Sequence, residues 1–498
     1  VSAPFRGLHI REEPEGRYDA IVVGAGVGGL ICANLLAAAG MKTLLVEQHY
    51  VVGGYCSSFT RKNFKFDAAS HFYPLLGNRD SITGKLLDRL GTETEWAKMD
   101  PVDHFHFPDG SRYSVPADFD KYFNDLLQMF PQEREALKAF FEEVRALNLM
   151  GLLAYFRGKD VKHLRRHEGR SLGDALDEHF EDEKLKLLLT ADCPHWGSPP
   201  RRISYVFDSM LRLSYFLGNY YPIGGSQKFS DDLAFAFERS GGTAVLRATA
   251  KRILIKNDKV AGLELELGPP AKRRTVRVES PIVVSNADLL QTSEHLLGEE
   301  HVGRKYLDHL RGLRRSFPCY LMHLGLKDTE PEEIEKQQGY HWAGWDPNEV
   351  GTSALRFKFF VPTMFDRSVA PEGGQIIIIQ KVIDCDFEAI GDWPAHKKQI
   401  DDFVLGYLKE MVPRFSERTV VRLSASAMTS HRYTLNNSGA MLGWEMGPDQ
   451  LGQRRPGAEG PVEGLYFCGH WTRPGGGITP VIVSAMQAAE KVTGERYF

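Results

Sequence analysis

Between Asp19 and Glu47 the chain reads DAIVVGAGVGGLICANLLAAAGMKTLLVE, an order of residue types that few folds accept. Apolar residues precede a glycine-rich turn, a helical apolar run follows, and a second apolar stretch ends on an acid. Strand, turn, helix and strand in that order form the dinucleotide-binding unit of a doubly wound sheet. Gly24 permits the tight turn, Gly26 lets the backbone approach a diphosphate, and Gly29 lets the helix pack close to the strand; Gly28 lies in the same turn. Gly40 stands where a helix C-terminus needs a left-handed residue. The first helical turn offers free amide N–H groups and the positive end of a dipole. Glu47, about 20 residues on, is placed to accept a hydrogen bond from a ribose hydroxyl and to repel a 2′-phosphate. Alone, this fingerprint does not separate NAD from FAD.

Composition narrows the setting. At 498 residues, 42% of them hydrophobic, the chain exceeds the roughly 250–300 residues at which single cores stop growing, so two substantial domains are expected. Sixty-one Lys plus Arg against 65 Asp plus Glu, a net charge of −4, argues against a nucleic acid partner. Cys32, Cys56, Cys193, Cys319, Cys385 and Cys468 show no paired spacing and no His at zinc-ligand distance, so no metal site is expected and a reducing compartment is the reading. Residues 1–17 are charged, lack the apolar core of a secretory signal and read as a linker. With no apolar run of about 18 residues, no membrane-spanning helix is expected, and the location is read as cytoplasmic or at a membrane periphery.

After Glu47 come Gly53 and Gly54 within EQHYVVGGYCSSF, and then FKFDAASHFY. With the glycine turn, these segments resemble the phytoene desaturase, carotenoid isomerase and retinol saturase family, which shares its FAD fold with the amine oxidases. The resemblance implies non-covalent FAD, with Gly53 and Gly54 running alongside it and His71 and Tyr73 on the substrate side. Many relatives carry Arg after the glycine pair; this chain has Tyr55, at a phosphate or flavin contact. Near the other end, GLYFCGHWTRPGGGITPVIVSAMQAAEKV resembles the family's carboxy-terminal FAD motif. Its apolar strand leads to Gly469, then to His470 where relatives often have the Asp that bonds the ribityl chain. A loop through Gly475, Gly476 and Gly477 follows, then Ile478, with Thr479 read as the N-cap of a helix and Pro480 as its first residue. A helix N-terminus there would stabilise negative charge on a reduced flavin. Residues 241–265 read as short strands with a turn at Asn257 and Asp258; they resemble the family's adenine-side ribbon, with Ala250 at the position whose backbone meets adenine. IVVSNAD, 282–288, resembles the strand that returns to the FAD sheet.

The expected fold is α/β: a Rossmann-type, glutathione-reductase-like FAD-binding domain with an interleaved α+β substrate domain. Residues 18–110, 223–300 and 421–498 are assigned to the first and 111–222 and 301–420 to the second, with a ligand cleft between them. LNLMGLLAYF, 147–156, followed by Lys159, Lys162, Arg165 and Arg166, reads either as an interfacial patch with a basic rim or as a buried helix ending in solvated charge. The aromatic-rich stretch 203–223 suits a polyene tunnel or an ordinary core, with core favoured for any one residue. HRYTLNNSGAMLGWEMGPDQ, 431–450, resembles a family segment near the flavin, and Tyr433 and Glu445 join His71 as nominees for acid–base work. DCPHW, 192–196, reads as structural.

The implied activity is that of an FAD-dependent oxidoreductase acting on carbon–carbon bonds of a hydrophobic, lipid-like polyene isoprenoid by hydride exchange at flavin N5, as a desaturase or a saturase. An isomerase using reduced FAD, an amine oxidase and a flavin-free prenyl-protein binding module remain as alternatives. The EQH and GGxC pattern leans to saturases and isomerases, PGGGI to bacterial desaturases. No second dinucleotide fingerprint appears, which leaves oxygen, a quinone or an external reductase as electron partner.

Overall fold

The computed structural model describes residues 14, 16–157, 161–191, 193–269 and 272–497. Lys159, Asp192 and residues 1–13 and 15 of the linker lie outside the described residues.

Five short strands, Thr243–Leu246, Thr43–Glu47, Ala20–Val23, Val283–Ser285 and Leu465–Phe467, lie side by side in that order and all parallel. A parallel sheet needs cover on both faces, which explains strands that read as nearly unbroken apolar runs. Alternation along Ala20–Val23 assigns the faces. Ala20 and Val22 pack with the helix Val27–Ala38 and its neighbours Ser226–Arg239 and Ile478–Thr493. Ile21 and Val23 pack toward an antiparallel ribbon of Ala248–Lys256, Lys259–Leu267 and Arg274–Glu279. Val27–Ala38 is buried on almost every side, as an apolar helix in the middle of a layer must be, and Gly40 beyond its end has φ +85°. Asn257 and Asp258, both with positive φ, form the expected ribbon turn.

The second layer is a seven-stranded sheet in the order Thr419–Ala425, Cys319–Leu326, Gln375–Val382, Leu355–Phe360, Gly339–Trp342, Asp103–His106 and Arg112–Val115. Its pairs are antiparallel except that between Gly339–Trp342 and Asp103–His106. A division at 110 falls in the turn of the hairpin formed by the last two strands, and one at 420 falls inside Thr419–Ala425, so both segments run with this sheet. Helices Arg134–Gly151 and Tyr205–Arg212 pack beside it in one continuous core with Phe105 and Val115.

Two local readings change in the fold. The carboxy-terminal helix is Ile478–Thr493 with Gly477, φ 99°, as its N-cap. Thr479 lies inside the first turn, and its hydroxyl donates to the Pro74 carbonyl at 2.9 Å, which diverts it from capping. The 147–156 segment is mixed: Leu147 and Phe156 are buried, whereas Leu149 is 62% exposed at the end of Arg134–Gly151. In 203–223, Ile203, Tyr205, Phe207 and Met210 are core. Among the described residues no helix is long and apolar enough to cross a membrane, and no three His, Cys, Asp or Glu side chains cluster to hold a metal.

Candidate functional site

Three distant stretches of bare backbone meet at the carboxyl ends of the parallel strands. Gly24 has φ +92° and donates its N–H to Val46 at 2.8 Å, turning the chain back on the sheet. Gly26 is the N-cap of Val27–Ala38. Gly53, also left-handed, donates to the Ala25 carbonyl at 2.7 Å and pairs with Gly26 as strand residues do. A methyl on Gly54 would stand 3.4 Å from Gly26 Cα, and one on Gly29 would fall 1.9 Å from the Gly24 carbonyl oxygen. At Gly28 a methyl would meet Asn286 Oδ1 at 2.5 Å and Gly469 Cα at 3.3 Å, and at Gly469 it would meet the same Oδ1 at 2.7 Å. Asn286 itself donates from Nδ2 to the Gly24 carbonyl at 3.3 Å. This glycine-built cradle at the start of a helix fits a diphosphate. Sequence reasoning missed Asn286 as its keystone, although the segment IVVSNAD was the available signal.

Glu47 ends the strand beside Leu246. Its Oε2 accepts the Ala25 N–H and its Oε1 the His49 N–H, each at 2.8 Å. The carboxylate keeps acceptor capacity for a sugar hydroxyl beside these amides. Burial pushes the Glu47 carboxyl up, against the pull of the His49, Ala25 and Gln48 amides. Ala250 is half-buried at a bulge in the ribbon that starts directly after this strand pair.

At the other end of the cradle, the Tyr55 hydroxyl donates to the Ala440 carbonyl at 3.1 Å, and its ring centroid lies 6.3 Å from that of His470. His470 Nε2 is 3.3 Å from Asn436 Oδ1, which also accepts the Trp471 indole N–H at 3.1 Å. Burial, with Arg455 adding to it, pushes His470 down to about 3, so the ring is neutral. Gly477, Ile478 and Thr479 open the helix that closes this end.

The structure does not bring the three acid–base nominees together. Tyr433 is 57% exposed, with its ring edge-on to that of His49, two residues past Glu47, at 5.7 Å. Glu445 is fully buried and held by Arg202 Nε at 2.8 Å and Arg314 Nε at 2.9 Å, with the Ser198 hydroxyl also donating to it. Its environment is that of a structural ion pair. His71 is buried over Phe360, ring centroids 4.4 Å apart, with Nδ1 3.0 Å from the Ala69 carbonyl oxygen and Nε2 without a hydrogen-bond partner among the described residues. Burial, then Lys358 and His323, push it down to about 3. Tyr73 is buried, edge-on to Phe229. A further polar group, unforeseen from sequence, joins Asp103, Lys358 and His195; the signal for it is the lone lysine in the apolar strand LRFKFF.

Residues 27–493 match the family described as flavin containing amine oxidoreductase. A chloroplastic prolycopene isomerase of Daucus carota is 25% identical over 504 residues, covering 96% of this chain and 80% of its own. The all-trans-retinol 13,14-reductase of Homo sapiens is 28% identical over 513 residues, covering 91% and 82%. Cyclohexylamine oxidase from Brevibacterium oxydans shares the fold with a TM-score of 0.64 at 16% identity, over 96% of this chain and 99% of its own. The chain belongs to the flavin containing amine oxidoreductase family, falls with the carotenoid isomerase and retinol saturase branch, and is an FAD-dependent enzyme.

Proposed function

We propose that the enzyme acts on carbon–carbon bonds of a long apolar polyene, as a saturase or desaturase. In this reading Gly24, Gly26, Gly28, Gly29, Gly53 and Gly54 hold the diphosphate, Glu47 the ribose and Ala250 the adenine. Tyr55, Gly469, His470, Gly477, Ile478 and Thr479 hold the flavin side. Bound FAD supplies an atom, N5, that takes up or returns a hydride. The chain's own contribution is to orient the substrate and exclude water.

One observation carries the reading: an aromatic chamber, walled by Phe72, Phe105, Tyr122, Tyr215 and Phe216, adjoins the segment 69–74. Thr479 ties that segment to the carboxy-terminal helix. The space is about 40 Å³, room for one end of a chain rather than its length, and its rigid rings offer that end a dry, flat wall. His71, one residue before Phe72, has its Nδ1–H directed to the Ala69 carbonyl, which leaves the Nε2 lone pair of the neutral ring to accept a hydrogen bond rather than a proton. Similarity over 96% and 91% of this chain to enzymes named for prolycopene and all-trans-retinol supports the same substrate class.

The test is anaerobic incubation of the holoenzyme, with its flavin oxidised or chemically reduced, with cis and trans polyenes, followed by chromatography and mass measurement. A change of two hydrogens in product mass is expected. An unchanged mass with a new isomer would favour isomerisation, the second reading, which the Daucus carota relative supports. Peroxide released from amines, with polyenes inert, would overturn both.

A further inference from the structure

Arg455 is 1% exposed, and its guanidinium is spent on backbone carbonyls. Nε donates to Thr472 at 3.0 Å, Nη1 to Glu445 at 3.2 Å, and Nη2 to Trp444 at 3.1 Å and His470 at 2.6 Å. Among the described residues no carboxylate pairs with it. The acids of the adjoining loop are taken: Glu445 is held by Arg202 and Arg314, and Asp449 by Arg314. A buried charge without a countercharge is costly. Burial pushes this one down to about 9, which leaves it charged at neutral pH. A neutral donor could brace carbonyls at lower cost, so bracing alone is a poor reason for a cation here.

The loops it joins flank the flavin end of the cradle. His470 and Thr472 lie in the turn that starts at Gly469. Trp444 and Glu445 follow Leu442, whose carbonyl oxygen would stand 2.5 Å from a methyl on Gly476, so their segment packs on the glycine loop ahead of Ile478–Thr493. Tyr55 and His470 add no charge at this end. The planar His470–Trp471 peptide gives its carbonyl to the guanidinium and turns its N–H the other way. Neither that N–H nor the one on His470 has a hydrogen-bond partner among the described residues. Unpaired amides backed by a cation suit an anion.

We infer that Arg455 is a positioning residue that favours reduced over oxidised flavin, and so raises its reduction potential, through the peptides of the turn at 469–472. The inference rests on the flavin end assigned above and is independent of the substrate. The diphosphate carries the same charge in both oxidation states and has the amides that open Val27–Ala38. The negative charge gained when a flavin takes up two electrons and one proton is the one that a buried cation can tell apart.

The experiment measures the midpoint potential of the flavin in substrate-free holoenzyme, by spectroscopic titration against a reference dye, for the native protein, Arg455→Gln and Arg455→Lys. A pH of 6 lies about four units below the ordinary value of a lysine. Arg455→Gln keeps a donor and removes the charge. It should weaken binding of reduced relative to oxidised FAD about tenfold, the order of one charge in the protein interior, which is a fall of about 30 mV for a two-electron couple. Arg455→Lys, which keeps the charge, should hold the native potential. The potential is read per bound flavin, so the folded fraction does not enter it; where Arg455→Gln yields no folded protein, the lysine variant decides. An unchanged potential in Arg455→Gln, even with flavin lost more readily, would overturn the inference and give the cation to the diphosphate. A fall of the same size in Arg455→Lys would overturn it as well and leave Arg455 a brace between loops. Native protein that takes up no FAD would overturn the cradle, and the inference with it.

Discussion

Tyr55 and His470 face one another with ring centroids 6.3 Å apart. Each stands where the family pattern often has a charged residue, Arg at the first position and Asp at the second. Here two neutral rings meet, with the buried Arg455 guanidinium donating to the His470 carbonyl at 2.6 Å. Tyr55→Arg alone would crowd a second cation toward Arg455, which burial already pushes down to about 9. We expect a loss of about 2 kcal/mol with reduced flavin retention, and recovery of half or more in the Tyr55→Arg/His470→Asp double variant. A double-mutant cycle on thermal midpoint and flavin content measures the coupling; additive effects would show the pair to be independent.

Gly28 depends on Asn286 in the same way. The amide of Asn286 is tied to Gly24, so a methyl at Gly28, 2.5 Å from Oδ1 and 3.0 Å from Val481 Cγ1, meets a neighbour that cannot swing away. Gly28→Ala should cost about 1–3 kcal/mol and most of the bound FAD. Asn286→Ala removes the obstacle, so the double variant should retain more flavin than Gly28→Ala alone. Equal flavin content in the two would remove Asn286 from the cradle.

What was legible in the sequence was local. The strand, turn, helix and acid of 19–47, the turn at Asn257 and Asp258, and the strand around Val283–Ser285 are patterns of neighbours with a period, and the sheet forms from them. Contacts without a period were invisible. Asp103 and Lys358 meet across 255 positions, and nothing near Glu445 announces Arg202 or Arg314. Thr479 had a cap's sequence surroundings, but the Pro74 carbonyl, far away in the chain, claims its hydroxyl. A hairpin in the wrong layer looks locally the same, which is why residues 103–115 could not be assigned by composition.

Glu445 holds Arg202 and Arg314 from a position with no exposure to solvent. Glu445→Gln should therefore cost about 1–2 kcal/mol of stability, because Arg202 loses its anion whereas Arg314 keeps Asp449 at 2.6 and 2.7 Å. Turnover per bound flavin should stay within a few-fold of native. A hundredfold fall in that turnover with an unchanged melting temperature would return Glu445 to acid–base work.

Asp288 accepts the Gln291 N–H at 2.9 Å and the Asn437 N–H at 2.8 Å, and burial lifts its carboxyl to about 6. A carboxyl whose folded value lies above its unfolded value near 4 favours folding while both states are protonated. That contribution is lost as pH rises through about 6. Native stability relative to Asp288→Asn should thus decline between pH 4 and 7, by about 3 kcal/mol at most, as chemical denaturation at each pH would measure. A difference that is flat or rises with pH would contradict the assignment.

Leu149, 62% exposed, stands at the end of its helix with Leu152, Leu153 and Tyr155 half-buried beyond it, and Arg157, Lys162, Arg165 and Arg166 exposed nearby. Apolar side chains beside several cations match the chemistry of an anionic bilayer surface, where each basic residue contributes about 1 kcal/mol at low salt. We expect the protein to float with phosphatidylserine vesicles at low ionic strength and to be released by salt. Leu149→Glu/Leu153→Glu should cut the bound fraction about tenfold, because it removes apolar contact and adds repulsion at one edge. Flotation that the double variant leaves intact would move the contact elsewhere on the surface, and no flotation at low salt would remove the membrane from the account.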